Sequence, residues 1–424
     1  MSDVVKDPVS IIHLALRWLE HSAIATDAGL AWAYAPSSEE IVQDLYSGGA
    51  GIAMTFMEAY RHFGSDRFGD VAAAASRELI AHYERLDHCS LYFGLTGIAA
   101  ALHSASNILG DSNAEKCATN ILDRVRSRFD GERWSDQFEL LGGNAGIALG
   151  ALYVGDLDLA ILAVTPYLEN AIPTTCGVNW ENRVGTPARL HHISHGTLGI
   201  VGALSAVGTA AQRPDLIDLA LAGAVDVVSR NEADIDGFLV PHSDPQHRPE
   251  RIERHSYGWC HGPTGDAQVF RLLAATTSDP KWMALAQRCW HTVVTSGLPQ
   301  QLRPGFWDNS GRCCGTAGVL ALACDMHVEG GVNLDFARLL VDDMAARATV
   351  DDRGARWSNF EYRNTPSDLE PRTGWAMGNA GIIRELLRFD RLTTGTSPDY
   401  FVAWPDQPAT GPKMFPVGER QNSA

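Results

Sequence analysis

Seven copies of a Gly-x-x-Gly block punctuate this 424-residue chain. They are Gly48-Gly49-Ala50-Gly51, Gly94-Leu95-Thr96-Gly97, Gly143-Asn144-Ala145-Gly146, Gly196-Thr197-Leu198-Gly199, Gly262-Pro263-Thr264-Gly265, Gly315-Thr316-Ala317-Gly318 and Gly378-Asn379-Ala380-Gly381. Successive first glycines lie 46, 49, 53, 66, 53 and 63 residues apart. Periods in this range mark a solenoid, a propeller or a closed array. Each block opens an Ala- and Leu-rich stretch with helical spacing, as at 51–63, 97–109 and 318–326. Longer amphipathic stretches, such as 71–85, 114–129 and 282–294, fall between blocks. Each repeat therefore predicts a helical hairpin, and strand signals are sparse. An open solenoid needs polar capping repeats, and neither end of the chain reads as one. The expected fold is all-α: an α/α toroid, a double-layer barrel of seven helical-hairpin repeats. Its inner helices start at the glycine blocks. It forms one domain over 1–404, with a flexible C-terminal tail over 405–424.

Three segments between repeats, 171–192, 231–258 and 351–374, are long and irregular. Loops of this length in a compact domain are commonly functional. Each precedes a glycine block, so each is expected to rise over the end of the barrel where the inner helices begin. The net charge of −17 argues against nucleic-acid binding, which needs a basic face. No secretory signal pattern opens the chain, and no apolar run is long enough for a transmembrane helix. The eight cysteines are too few for a disulfide scaffold. The expectation is a cytoplasmic protein with reduced thiols, where grouped cysteines point to metal binding or catalysis.

Alignment of the repeats on their first glycine gathers the reactive residues. Cys260 and Cys313 stand two residues before that glycine, and Cys314 one before. Equivalent slots of a closed repeat face one place, so these three sulfurs are expected to converge. Three thiolates around a zinc ion leave its fourth position open for chemistry. His195 occupies the slot of Cys314 in the fourth repeat and His261 the same slot in the fifth. His195 is a candidate catalytic residue, and His261 is a candidate for the pocket wall. His191 and His192 read as loop residues. Glu139, four before the third block's first glycine, and Asp136, three residues upstream of it, are candidate acids. Trp259 and Trp375 share the slot three before the glycine and read as packing between repeats. Cys89, Cys117, Cys289 and Cys324 read as small core residues, and Cys176 as a loop thiol.

The seven blocks, with Trp259-Cys260-His261-Gly262 and Cys313-Cys314-Gly315, resemble the lanthionine synthetase C-like cyclases over about residues 44–387. The resemblance implies an α/α toroid with one zinc ion at its top, held by Cys260, Cys313 and Cys314. Many members carry Cys-His-Gly at the second motif, so Cys-Cys-Gly resembles a branch with three thiolate ligands. The family's histidine in the fourth block falls on His195. Its aspartate in the third block is replaced by Glu139, and Asp136 stays a second candidate. The implied activity is addition of peptide cysteine thiolates to dehydroalanine or dehydrobutyrine, which closes (methyl)lanthionine rings. The implied partners are a dehydrated ribosomal precursor peptide and a separate dehydratase.

The chemistry suits these residues on its own terms. A free cysteine with a pKa near 8.5 is mostly protonated at neutral pH, and a coordinated thiol is deprotonated outright. The addition then needs a proton at Cα. Histidine, with an unperturbed pKa near 6.5, suits that task at His195. Glu139 would orient it or accept the thiol proton. Other readings remain open at this stage. They are a zinc-stabilised peptide-binding scaffold without catalysis, a prenyltransferase-like zinc enzyme, an enzyme that adds glutathione, and a barrel glycosidase with two opposed carboxylates.

Overall fold

Every glycine block starts a helix. The computed structural model describes residues 7–250, 252–300, 309–358 and 370–407. The inner helices are Gly49–Phe63, Leu95–Leu109, Asn144–Val154, Thr197–Ala210, Pro263–Thr277, Thr316–Gly330 and Asn379–Thr394. The first glycine of each block is the extended residue capping the helix that follows. Consecutive inner helices pack side by side, and the seventh packs on the first. Six outer helices follow their inner partners: Asp66–His82, Ser112–Ser127, Leu157–Val164, Pro214–Val228, Pro280–Thr295 and Asp335–Arg347. The third is cut short at Thr165-Pro166, where proline cannot continue the backbone ladder. The seventh outer helix comes from the other end of the chain. Pro8–His21 packs on Asn379–Thr394 and completes the second layer. The fold is therefore the expected seven-hairpin α/α toroid, with a last hairpin assembled from both ends of the sequence.

The slot two before the first glycine builds a closed ring of backbone hydrogen bonds. The N–H of Tyr46 donates to the carbonyl of Tyr92 at 3.0 Å, Tyr92 to Leu141 at 3.2 Å, and Leu141 to Ser194 at 3.3 Å. The ring continues from Ser194 to Cys260 at 3.3 Å, Cys260 to Cys313 at 3.1 Å and Cys313 to Ala376 at 2.8 Å. Ala376 returns to Tyr46 at 2.8 Å. The second glycine of each block lets these segments come close enough. A methyl group at Gly97 would sit 2.0 Å from the Leu91 carbonyl oxygen and 2.9 Å from Leu45 Cβ of the preceding repeat. At Gly51 it would meet the Leu45 carbonyl at 2.4 Å and Trp375 Cβ of the last repeat at 3.0 Å. Gly-x-x-Gly is thus a spacing device, and the same device works at the seam.

The lumen below this ring is filled. Trp259 and Trp375 are buried and meet edge to face at 5.7 Å, with the Arg312 guanidinium 5.6 and 5.5 Å from their ring centres. Deeper down, Glu58 is fully buried and pairs with Arg384 at 3.4 Å and Arg391 at 2.5 Å. It also accepts the N–H groups of Phe401 and Val402 at 3.1 and 2.7 Å. The chain after the last helix therefore turns back into the barrel. Trp404 stacks on Trp375 at 4.7 Å, and Asp406 accepts the Tyr92 hydroxyl at 2.7 Å. Of the tail expected over 405–424, Pro405, Asp406 and Gln407 are described and belong to this plug; the rest lies outside the described residues.

Short strand pairs decorate the loops. The pair that bears on the site joins Arg189–Leu190 to Ser243–Asp244 and ties two of the long segments together. Among the described residues no helix is long and apolar enough to cross a membrane.

Breaking a buried ion pair by removing one partner costs about 3–5 kcal/mol. Glu58→Ala is expected to lower the unfolding free energy by about that amount, read from urea denaturation. Desolvation in the lumen pushes the Asp406 carboxyl up to about 6. A folded-state value above the unfolded one means that protonation favours the fold. That contribution is full below the unfolded pKa and is lost as pH rises through 6. Moving from pH 8 to pH 5 should therefore stabilise the native chain by about 1 kcal/mol through this group, a gain absent in Asp406→Asn.

Candidate metal and acid–base site

Cys260, Cys313 and Cys314 meet at the ring of backbone hydrogen bonds. Cys260 and Cys313 are consecutive members of that ring, and Cys314 follows directly, so rigid backbone sets all three positions. The Sγ atoms of Cys260 and Cys314 are 3.1 Å apart, those of Cys313 and Cys314 are 3.5 Å apart, and all three lie within 4.8 Å of one another. Tetrahedral zinc with Zn–S near 2.3 Å would hold such sulfurs about 3.8 Å apart. The donor set and its spread fit zinc. All eight cysteines are free, so the vicinal pair forms no bridge. Cys89, Cys117, Cys289 and Cys324 are buried away from the cluster, and Cys176 is exposed.

Burial opposes charge on Cys313, but hydrogen bonds from Cys260, Cys314 and Tyr46 outweigh it and hold its pKa well below the ordinary thiol value. Burial, followed by its bonds to the two neighbouring sulfurs, pushes Cys260 the other way. The Tyr46 hydroxyl donates to Cys313 Sγ at 3.2 Å. One thiolate is thus favoured among three sulfurs, and a cation is needed to draw the remaining protons off.

His195 sits at the mouth with its side chain 29% exposed, and its Nδ1 is 2.9 Å from Glu139 Oε1. The Glu139 carboxylate is buried and pinned from behind by the N–H groups of Leu141 and Gly142. A fixed carboxylate at Nδ1 puts the ring hydrogen there and leaves Nε2 for chemistry. Asp44, in the same slot of the first repeat, is held in a similar way by the N–H of Ser47 at 2.6 Å. The slot therefore shapes a carboxylate turn, and only in the third repeat does a histidine meet it. Asp136 is exposed, and among the described residues its side chain has no hydrogen bond.

Behind His195 lies a bank of histidines. His261 is half-buried; it stacks on His195 at 5.6 Å between ring centres and meets the His242 ring at a tilt of 50° and 4.2 Å. Burial, aided by neighbouring cationic and histidine side chains, drives His191 down to about 2 and His242 down to about 3, so both stay neutral. His192 is fully buried and bonds both oxygens of Asp266 through Nδ1, at 3.0 and 2.9 Å. His192 and His191 are therefore buried under the mouth rather than in a solvated loop. A cavity of about 200 Å³ opens beside His195, walled by Glu139, Asn182, Arg183, His242, His247 and His261 among others.

The structure brings together Cys260, Cys313 and Cys314, and separately His195, Glu139 and His261; it leaves Asp136 outside. Four features had not been read as functional: Tyr46, the His192–Asp266 pair, His242 and Arg183. Asp266 carried a legible signal. It follows the second glycine, where the other six repeats place Ile or Val, so a carboxylate stood in a core slot. His242 and Arg183 lie in irregular loops with no repeat register to align.

Removing a residue that supports a metal ligand typically costs 10–100-fold in affinity. Tyr46→Phe is expected to weaken zinc binding by about tenfold in chelator competition, and Cys313→Ala by more than about 100-fold.

A family model described as lanthionine synthetase C-like protein matches residues 40–248 and 246–340. No curated protein matches the chain in sequence. Among solved structures, nisin cyclase is similar over 93% of this chain and 95% of its own, with a TM-score of 0.65 at 14% identity. A GH76 α-mannanase from Bacteroides thetaiotaomicron is similar over 92% of this chain and 97% of its own, with a TM-score of 0.51 at 10% identity. At such identities the likeness is one of fold.

Proposed function

Because the chain belongs to the lanthionine synthetase C-like family, we propose that it is a zinc-dependent lanthipeptide cyclase. It would add peptide cysteine thiolates to dehydroalanine or dehydrobutyrine in a dehydrated precursor peptide. The observation that carries the reading is the pairing of two devices at one mouth. One is a cluster of three thiols from adjacent ring positions, and the other is a histidine oriented by a buried carboxylate. Zinc held by Cys260, Cys313 and Cys314 would supply an open position where a substrate thiol is kept as thiolate at neutral pH.

The rest of the work falls to the chain's own residues. The addition forms one C–S bond and moves one proton from the thiol to Cα, so no further reactant is needed. His195 Nε2 would carry that proton, taking it from the thiol side and delivering it to Cα. Glu139 would fix the ring through Nδ1 and stabilise the imidazolium while the proton is in transit. The Leu141 and Gly142 N–H groups hold Glu139 in turn, so the acid is oriented by backbone. His261, stacked on His195, limits the ring's rotation and keeps water from one face. Free cysteines throughout suit a reducing cytoplasm, and dehydration of the peptide would fall to a separate dehydratase.

The mannanase-like structures share the toroid. A glycosidase needs two carboxylates across the scissile bond. Glu139 is the sole carboxylate among the described residues walling the cavity, and it is committed to His195. The non-catalytic scaffold and the glutathione-adding enzyme are separated from the cyclase by assay. Purified protein incubated with dehydrated peptide should lose free peptide thiols with no change in mass. Loss only with added glutathione, or no loss at full zinc content, would sink the reading. His195→Ala should keep its zinc and lose about 100–10,000-fold in ring closure. Wild-type rates in that variant would remove His195 from the mechanism.

A further inference from the structure

The cavity beside His195 has a wall that the cyclase chemistry leaves unused. Arg183 lines it, and among the described residues its guanidinium has no ion pair and no hydrogen bond. Glu181 lies nearby in sequence, but its carboxylate accepts the Gly185 N–H at 3.1 Å and makes no ion pair with Arg183. Asn182, also on the wall, is 1% exposed. Its Oδ1 accepts the Leu190 N–H at 2.8 Å, which fixes the amide, and its Nδ2 has no partner. The Nδ1 of His261, which also lines the cavity, is likewise buried without a partner. Two further guanidiniums stand on the same loops. Arg189 reaches only backbone carbonyls, and Arg248 makes no ion pair among the described residues.

These observations concern one place in a chain with a net charge of −17. An acidic protein has carboxylates to spare for its arginines, and elsewhere it uses them, as at Arg254 with Glu232 and Arg271 with Asp325. A buried donor without a partner is unfavourable, and a charged fork beside it calls for a planar, two-oxygen acceptor. The Glu139 carboxylate on this wall is committed to His195 and the backbone, and around Arg183 the wall offers donors and a positive charge, so its complement there is an anionic oxygen pair. The strand pair between Arg189–Leu190 and Ser243–Asp244 ties the two loops that carry these groups.

We propose that this cavity is a carboxylate subsite of the substrate peptide, with Arg183 gripping an acidic side chain and Asn182 adding a second donor. The proposal rests on the cyclase reading and names its substrate class: peptides with an acidic residue close to the dehydrated one. The peptide's carboxylate would anchor it with the reacting carbon over His195, and the flanking arginines would draw it in against the protein's overall charge.

The test needs binding, not turnover. Two fluorescein-labelled pentapeptides are made, each centred on dehydroalanine and flanked on both sides by Glu in one and by Gln in the other. Anisotropy titration of the zinc-loaded wild type should show the Glu peptide binding about tenfold more tightly, as one charge-assisted forked contact warrants. Non-specific electrostatics would give the reverse order. In Arg183→Gln the preference should fall to about twofold or less with zinc content unchanged, and Asn182→Ala should weaken the Glu peptide alone. Equal affinities in the wild type, absence of binding by either peptide, or a preference that survives Arg183→Gln would overturn the proposal. The wild-type comparison decides even if a variant misfolds. Failure of the cyclase reading shows elsewhere, as absence of ring closure by wild-type protein.

Discussion

A cycle of seven backbone hydrogen bonds, one per repeat, holds the mouth of this barrel together. It runs from Tyr46 through Tyr92, Leu141, Ser194, Cys260, Cys313 and Ala376 and back to Tyr46. Each link depends on a glycine in the neighbouring helix that lets two chains approach within van der Waals contact. Open repeat arrays tolerate variation because each unit touches only its neighbours. Here the last unit is also a neighbour of the first, so every link constrains the rest. The cysteines exploit this. Two of them are ring members and inherit its rigidity, which is the preorganisation a metal centre needs from its scaffold.

The same rigidity explains how the two halves of the site differ. The sulfur cluster rests on adjacent ring positions and one stacked aromatic bed beneath. The His195–Glu139 pair rests on a carboxylate turn that the fold repeats at Asp44 without a histidine. The proposed acid–base pair uses geometry that the fold produces anyway. The buried histidines behind it are different in kind. His192 with Asp266 replaces apolar contacts in the core by a polar pair bonded through Nδ1, and His242 and His261 stay neutral in an environment that penalises charge. His191, His242 and His261 thus form a wall of polar side chains that burial keeps uncharged behind His195.

The repeat and the sulfur slots were legible in the sequence because both are periodic. A fixed offset from the first glycine fixes a direction in the barrel, and Cys260, Cys313, Cys314 and His195 all share such offsets. Glu139 was legible for the same reason, since its turn is set by its distance from Gly143. What escaped was aperiodic. Nothing local in residues 8–21 says that this helix belongs to the seventh hairpin; its partner lies more than 350 residues away. The stretch from Pro405 reads as polar tail, yet Asp406 lies inside the lumen beside Trp404, because the chain before it is drawn in by Glu58, Arg384 and Arg391. Arg183 and Asn182 sit on a loop whose course depends on pairing with another loop. Such features follow from tertiary context and leave no spacing to read.

The seventh hairpin also has a history in time. Pro8–His21 is translated before any of the seven glycine blocks, and it carries Ile11, Ile12, Leu16, Trp18 and Leu19 on the face that will be buried. Its inner partner, Asn379–Thr394, is the last of the described helices to be made. At ordinary translation rates the gap is about 20 to 70 s. For that interval a greasy helix waits without its groove, and six nearly finished hairpins hold an open seam. A fold whose final joint welds Pro8–His21 to Asn379–Thr394 seals its second layer around the ring that carries the three cysteines only after both helices have been made.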